Sequence, residues 1–217
     1  MSRRSTHTTI GFATGAAAAA CLLGAVALAG CGGSGYEAVK ANIVVIGDSI
    51  TVQSTREVKA ALAAAGWHPT VQGISGSTIA GGTHGGWPGA ARRLVQRLFP
   101  EVVVVELGTN DTAPNVCCAK VPASIDAMKD ALAHVPHVLW LNVQEGRLDS
   151  ANAARVNRDL EAAAKQWSNL HIVDFSGRFA GRPEWHVGPG PHLTPAGQVA
   201  FAQLVAQAAA PWAPTRP

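Results

Sequence analysis

The run Asn42-Ile43-Val44-Val45-Ile46-Gly47-Asp48-Ser49 constrains the fold more than any other stretch of the chain. Ile43 to Ile46 are consecutive β-branched apolar residues, without the alternation of a strand that is wet on one face. A run of this kind belongs in a parallel sheet covered on both sides, so the chain must supply helices that cross back between strands. Gly47 lets the strand stop abruptly, leaving the Ser49 hydroxyl at the carboxyl edge of the sheet, where open α/β sheets place their chemistry. Gly-Asp-Ser by itself is also an ordinary turn.

The chain downstream provides the crossovers. Ser54 to Ala65 reads as a helix with Ser54 as N-cap, Glu57 at the capping-box position and Gly66 as its stop. Trp67 to Gln72 is a short strand, followed by a glycine-rich loop from Gly73 to Gly86 that carries His84. Pro88 to Phe99 is helical, with Arg92, Arg93 and Arg97 on a solvated face. Val102 to Val105 repeats the doubly buried pattern and ends in Gly108-Thr109-Asn110-Asp111. A helix from about Pro122 to Ala133, a strand from His137 to Val143, a helix from Ser150 to Trp167 and a strand from Leu170 to Asp174 follow. A loop rich in Gly, Arg, Pro and aromatic residues then reaches His192, and Thr194 caps a last helix whose first turn holds Pro195 and which stops before Pro211. This order predicts an α/β fold: a flavodoxin-like three-layer sandwich with a five-stranded parallel sheet in the order 2-1-3-4-5 and helices on both faces. The first and third strands are then neighbours, which brings the loops after Ser49 and around Asn110 together.

The first residues read as an address rather than as fold. Arg3 and Arg4 precede an apolar run from about Ile10 to Ala29, the layout of a signal peptide over residues 1–30, and Leu28-Ala29-Gly30-Cys31 resembles the lipobox of bacterial lipoproteins. On that reading Cys31 is lipidated, residues 31–41 with Gly32 to Gly35 form a short tether, and a folded domain occupies 42–210 ahead of a frayed tail at 211–217. A single membrane-spanning helix is the competing reading of the apolar run. Both place the domain outside the cytoplasmic membrane. The formal net charge of +3 falls to +1 once Arg3 and Arg4 are set aside, which gives a nucleic acid nothing to hold, and no cofactor motif is present. With Cys21 in the leader and Cys31 lipidated, only the adjacent Cys117 and Cys118 remain; they read equally as a vicinal disulfide or as two packed thiols, and lack metal-ligand spacing.

Taken together, the polar blocks resemble those of the SGNH hydrolases, also called the GDSL esterase and lipase family. Gly47-Asp48-Ser49 matches the first block with Ser49 as nucleophile, and Gly76 in Ile-Ser-Gly-Ser-Thr matches the second. Gly108-Thr109-Asn110-Asp111 matches the third with Asn110, and His192-Leu193-Thr194 matches the last. The resemblance implies a serine esterase in which His192 is the base and the backbone N–H groups of Ser49 and Gly76, with the Asn110 amide, form the oxyanion hole. Bland roles exist for two of these residues: Asn110 suits a turn, and Gly76 suits a flexible loop. No metal is implied.

One expected residue is missing. The family usually carries Asp three residues before the histidine, and here that position is Pro189, within Gly188-Pro189-Gly190-Pro191-His192. Three readings follow: the backbone carbonyl of Pro189 orients His192 in a Ser-His dyad; Glu184 or Asp174 reaches it from a shifted position; or catalysis has been lost and the protein only binds a glycan or lipid. Trp185, seven residues before His192, keeps the spacing of members with the acids present. His68, His134, His137 and His171 suit ordinary solvated or packed positions, and the same reading is favoured for His84 and His186, although their loops can reach the border of the site. Asn142 and Gln144 follow the fourth strand and reach the same edge by topology, and Trp87 and Trp185 are either walls or packing. The expected activity is an extracytoplasmic, lipid-anchored esterase acting on a small-molecule, glycan or lipid ester, with O-acyl transfer to an envelope glycan or lipid as its alternative.

Overall fold

A computed structural model of the chain describes residues 41–81 and 86–215. The expected leader at 1–30, Cys31 with the tether through residue 40, and His84 lie outside the described residues. Five parallel strands, β1 (Asn42–Gly47), β2 (His68–Gly73), β3 (Val102–Glu106), β4 (His137–Leu141) and β5 (Leu170–Val173), pair in the order β2-β1-β3-β4-β5, as the alternating pattern requires. Around them run α1 (Ser49–Gln53), α2 (Thr55–Ala64), α3 (Trp87–Leu98), α4 (Val121–Ala131), α5 (Ser150–Ala164), α6 (Phe175–Phe179) and α7 (Pro195–Ala209).

Successive strand residues point to opposite faces, and both faces are dry. Val44, Ile46, Val103, Val105, Val138 and Trp140 enter one core with residues of α3, α4 and α5, while Ile43, Val45, Val102, Val104, Leu139 and Leu141 enter the other with residues of α2 and α7. Each such side chain contributes about 1.5–3 kcal/mol when fully buried, which is why an unbroken apolar run works here and alternation would not. No helix among the described residues is long and apolar enough to cross a membrane.

Local differences from the sequence reading have physical causes. Ser54 makes no side-chain cap, because the chain is already helical from Ser49: Ser54 N donates to Ile50 O at 3.2 Å and Val58 N to Ser54 O at 2.9 Å. Glu57 pairs with Arg56 at 2.6 Å instead of reaching back to Ser54. Asp174 caps α6, a turn of helix inside the expected loop, by accepting from Gly177 N at 2.8 Å. Thr194 does cap α7, accepting from Gly197 N at 3.2 Å with Pro195 in the first turn. The expected fraying after Pro211 spares Trp212, whose ring stacks on His137 with centroids 4.4 Å apart and lies 5.0 Å from His171.

Candidate active site

The turn after β1 has no room for a side chain at Gly47. A Cβ there would collide with Thr51 and come within 2.7 Å of Glu106 Oε2. Glycine therefore lets the strand end pack directly on the helix that follows. Asp48 N donates to the Glu106 carbonyl and to its Oε2, each at 3.2 Å, and Asp48 Oδ1 accepts from Ile50 N at 3.0 Å, which caps α1. Ser49 begins α1, half-buried, with no hydrogen bond to its N–H among the described residues.

Ser49 Oγ lies 3.0 Å from His192 Nε2, although the two residues are 143 positions apart. The loop that delivers the histidine is held through its backbone. Val187 N donates to His192 O at 2.9 Å, Thr194 N to Trp185 O at 3.0 Å, and Leu193 N to Gln53 Oε1 at 3.3 Å, while the Leu193 side chain is buried. The imidazole itself is exposed, and no group among the described residues accepts a hydrogen bond from its Nδ1. This departs from every orienting group considered above. The Pro189 carbonyl makes no such bond; the Asp174 carboxylate is taken by Gly177 N and by Asn142 Nδ2 at 3.1 Å; and the Glu184 carboxylate lies 3.8 Å from Arg182. Asp174 is held by the cap of α6, and Glu184 by the exposed surface of its own turn.

Three further groups converge on this edge. The end of β2 sits beside the turn, since Gly73 is opposite Gly47 and Ile74 N donates to Gly47 O at 3.0 Å. Gly76 follows at φ +75°, a backbone region that side chains disfavour, with its N–H unpaired among the described residues. Asn110, after β3, donates from Nδ2 to Asp48 Oδ2 at 2.9 Å and to Ser77 O at 3.0 Å. Two acceptors at one end of the amide fix which end carries the nitrogen.

Beneath the serine lies a feature that the motifs did not point to. Glu106 is 2% exposed, and its Oε2 accepts from Asp48 N, from Thr51 N at 3.2 Å and from Thr51 Oγ1 at 2.9 Å. Its carboxyl also hydrogen-bonds the buried Asp48 carboxyl, and burial together with that neighbouring charge pushes Glu106 well above the ordinary carboxylate range. Burial raises Asp48 to about 6. Asp111, which accepts from Ile79 N at 3.1 Å and so anchors the glycine-rich loop, is also raised to about 6 by burial. A glutamate ending an otherwise wholly apolar strand was the available signal for Glu106: a charge at a buried position must be paired or neutral.

The remaining candidates divide. Asn142 joins the loops after β4 and β5 through Asp174 and Ser176 N. Trp87 is core, with Nε1 donating to Ser77 Oγ at 2.8 Å, so it fixes the loop that carries Gly76. Trp185 packs edge-on against Phe179, 4.9 Å between centroids. His186 is buried and its pKa is lowered by that burial, whereas His68, His134 and His171 are exposed. Cys117 and Cys118 are joined as a vicinal disulfide across a cis peptide bond.

Comparisons with known proteins bear on the family and the fold. The model of the GDSL-like Lipase/Acylhydrolase family matches residues 45–200. Among solved structures, TesA is 25% identical and superposes with a TM-score of 0.65, covering 78% of this chain and 98% of its own. The catalytic domain of peptidoglycan O-acetyltransferase A from Streptococcus pneumoniae is 19% identical at a TM-score of 0.64, covering 81% and 97%. A family 3 carbohydrate esterase from Clostridium thermocellum is 18% identical at 0.59, covering 79% and 99%. No curated protein matches the chain significantly. A family match across most of the chain, on a sheet of this order, makes the protein a member of the GDSL-like lipase and acylhydrolase (SGNH) family of carboxylic ester hydrolases.

Proposed function

We propose that the chain is an extracytoplasmic serine esterase, anchored through a lipidated Cys31, that cleaves carboxylic esters by way of a Ser49 acyl-enzyme with His192 as base and no carboxylate at the usual third position. The 3.0 Å contact between Ser49 Oγ and His192 Nε2, beside two backbone N–H groups unpaired among the described residues, carries the chemical part of this reading. Arg3, Arg4 and the apolar run ahead of Cys31 carry the rest.

The chemistry follows from what each group can do. Ser49 Oγ attacks the ester carbonyl carbon while its proton passes to His192 Nε2, and the carbonyl oxygen becomes an oxyanion facing the N–H groups of Ser49 and Gly76 and the Asn110 amide. The amide serves by turning, toward the oxyanion, the hydrogen it otherwise gives Ser77 O, while Asp48 keeps the other. Collapse breaks the bond to the leaving alcohol, which takes the proton from His192, and water then repeats the sequence on the acyl-enzyme. With no acid on Nδ1, the imidazolium is solvated at the exposed ring edge, and the backbone contacts of Leu193 and His192 set its position.

A serine-directed sulfonyl fluoride is expected to add one label, located on Ser49 by peptide mass, and to abolish hydrolysis of p-nitrophenyl acetate by the full chain. A chain that is neither labelled nor active while it still binds a glycan or lipid would be a binder rather than an enzyme. Asn110→Ala is expected to lower kcat by about 10²–10³-fold with KM little changed, because the lost donor acts on charge that exists only in the transition state. Acyl transfer to a glycan or lipid hydroxyl is the second reading, favoured by the exposed His192 and by the likeness in fold to the O-acetyltransferase domain. The ratio of transfer to hydrolysis in the presence of added alcohols separates the two.

A further inference from the structure

A second hollow, lined by polar groups and by the Phe179 ring, opens on the same sheet edge. It has a volume of about 410 Å³ and lies between the loop after β4, with Gln144, Glu145 and Arg147, and the segment of α6 and its exit, with Ser176 and Ala180. That volume is within the range of small-molecule sites. Gln144 is only 4% exposed, lines the hollow, and its Nε2 has no hydrogen-bond partner among the described residues. A buried amide donor left unpaired is costly, so a residue of this type here needs something to donate to. The last torsion of a glutamine side chain is soft, and turning it presents the donor to the hollow. Ser176 Oγ accepts from Glu145 N at 3.1 Å, which leaves its own hydrogen to give.

We propose that this hollow is a carbohydrate subsite that receives the alcohol half of the ester. The lining decides the class of ligand. Glu145 and Arg147 cancel in charge, so neither an anion nor a cation is favoured, and Glu145 Oε1 is already held by Asn157 Nδ2 at 2.9 Å. Donors and acceptors side by side suit hydroxyl groups, each of which does both. An acyl chain would cover the Phe179 ring but leave the Gln144 amide unpaired, which favours hydroxyl groups on this side. Position decides the role. Gln144 follows β4, two strands from β1, and Ser176 follows β5, so the hollow is about 10–15 Å from Ser49 at the ordinary strand spacing. Arg147 Nη1 donates to Gly188 O at 3.2 Å and joins the hollow's wall to the loop that carries His192. An alcohol that fills the hollow while its ester sits on Ser49 must be extended and rich in hydroxyls, as an oligosaccharide is.

The role in catalysis rests on Ser49 being the nucleophile, and the test keeps the two apart by measuring binding without turnover. Chitotetraose, cellotetraose and xylotetraose are titrated calorimetrically into the full chain carrying Ser49→Ala. At least one is expected to bind with a Kd below about 10 mM. Ala180→Trp, which fills the hollow from an exposed position, is expected to weaken that binding about tenfold or more, and Gln144→Leu about threefold or more, with kcat/KM on p-nitrophenyl acetate in the Ser49 background within about twofold of the parent. No binding by any of the three saccharides, or binding unchanged in both variants, overturns the proposal. Saccharide binding that responds to the variants in a chain inert toward p-nitrophenyl acetate supports the subsite and removes the esterase reading instead.

Discussion

Ser49→Ala and His192→Ala are each expected to lower kcat on p-nitrophenyl acetate by about 10⁴-fold or more, and the double variant is expected to lose no more than either alone. The reason is that the two side chains act as one device. A serine hydroxyl at neutral pH is a poor nucleophile until its proton leaves, and on the proposed mechanism the imidazole 3.0 Å away takes it. Removing either member leaves only the oxyanion donors and substrate binding, which do not depend on whether the other member is present. Neither change should unfold the protein, because Ser49 is half-buried and His192 exposed, so thermal melting should stay near that of the parent. The same assay discriminates the acids. Asp174→Asn and Glu184→Gln are expected to remain within a few-fold of the parent, since neither carboxylate touches the imidazole. In enzymes where a carboxylate does hold the ring, its amide substitution costs about 10⁴-fold. A loss of that size in either variant would show that an acid swings onto Nδ1 when substrate binds. Losses that multiply in the Ser49-His192 double variant would show that the two residues work separately.

What the sequence revealed follows how locally each feature is specified. The Ile43–Ile46 and Val102–Val105 runs forced parallel strands covered on both faces, and crossover handedness then allowed few strand orders. Ser49, Gly76, Asn110 and His192 were legible because each sits in a short block whose residue types serve a chemistry. The structure brings Ser49, Asn110 and His192 to one edge, with the Gly76 loop beside them. Short-range reading failed where a longer context decided. Ser54 looked like a cap because Ser-x-x-Glu is a capping signature, yet a helical turn just upstream had already satisfied that stretch. Glu106 went unnoticed because its partners, Asp48 and Thr51, are over fifty residues away in the chain. The contacts of Asp174 and Glu184 were equally invisible, since they depend on how the segment from Asp174 to Trp185 folds.

That buried glutamate sets the largest expected effect on stability. Glu106→Gln is expected to leave the protein about as stable as its parent near pH 4.5 and more stable than its parent at pH 7. In the folded chain burial and the Asp48 carboxyl hold the Glu106 proton, whereas in the unfolded chain the group titrates near its ordinary value of 4.5. Above that pH the unfolded state releases a proton that the folded state keeps. The stability this group confers is therefore complete below about pH 4.5 and drains as pH rises toward the folded value, by about 1.4 kcal/mol per pH unit. Glutamine has no such proton. Its carbonyl can accept from Asp48 N, Thr51 N and Thr51 Oγ1 as the carboxyl does, and its amide can donate to Asp48 in place of the acid proton. Asp111, raised to about 6, adds a slope of the same sign to parent and variant alike, whereas Asp48, also raised to about 6, is hydrogen-bonded to Glu106, so the difference between the two proteins reports the Glu106–Asp48 pair. Glu106→Leu, of similar volume, strips the acceptor from three buried donors and is expected to destabilise by about 3 kcal/mol or more near pH 4.5, a deficit relative to the parent that shrinks as pH rises because leucine has no proton to keep either. Urea unfolding at pH 4.5, 5.5, 6.5 and 7.5 measures all three proteins. Parallel curves for parent and Glu106→Gln would mean that the glutamate titrates alike in both states. The two carboxyls beneath Ser49 would then be no reservoir of a shared proton, and Asp48 would hold the Asn110 amide without help from below.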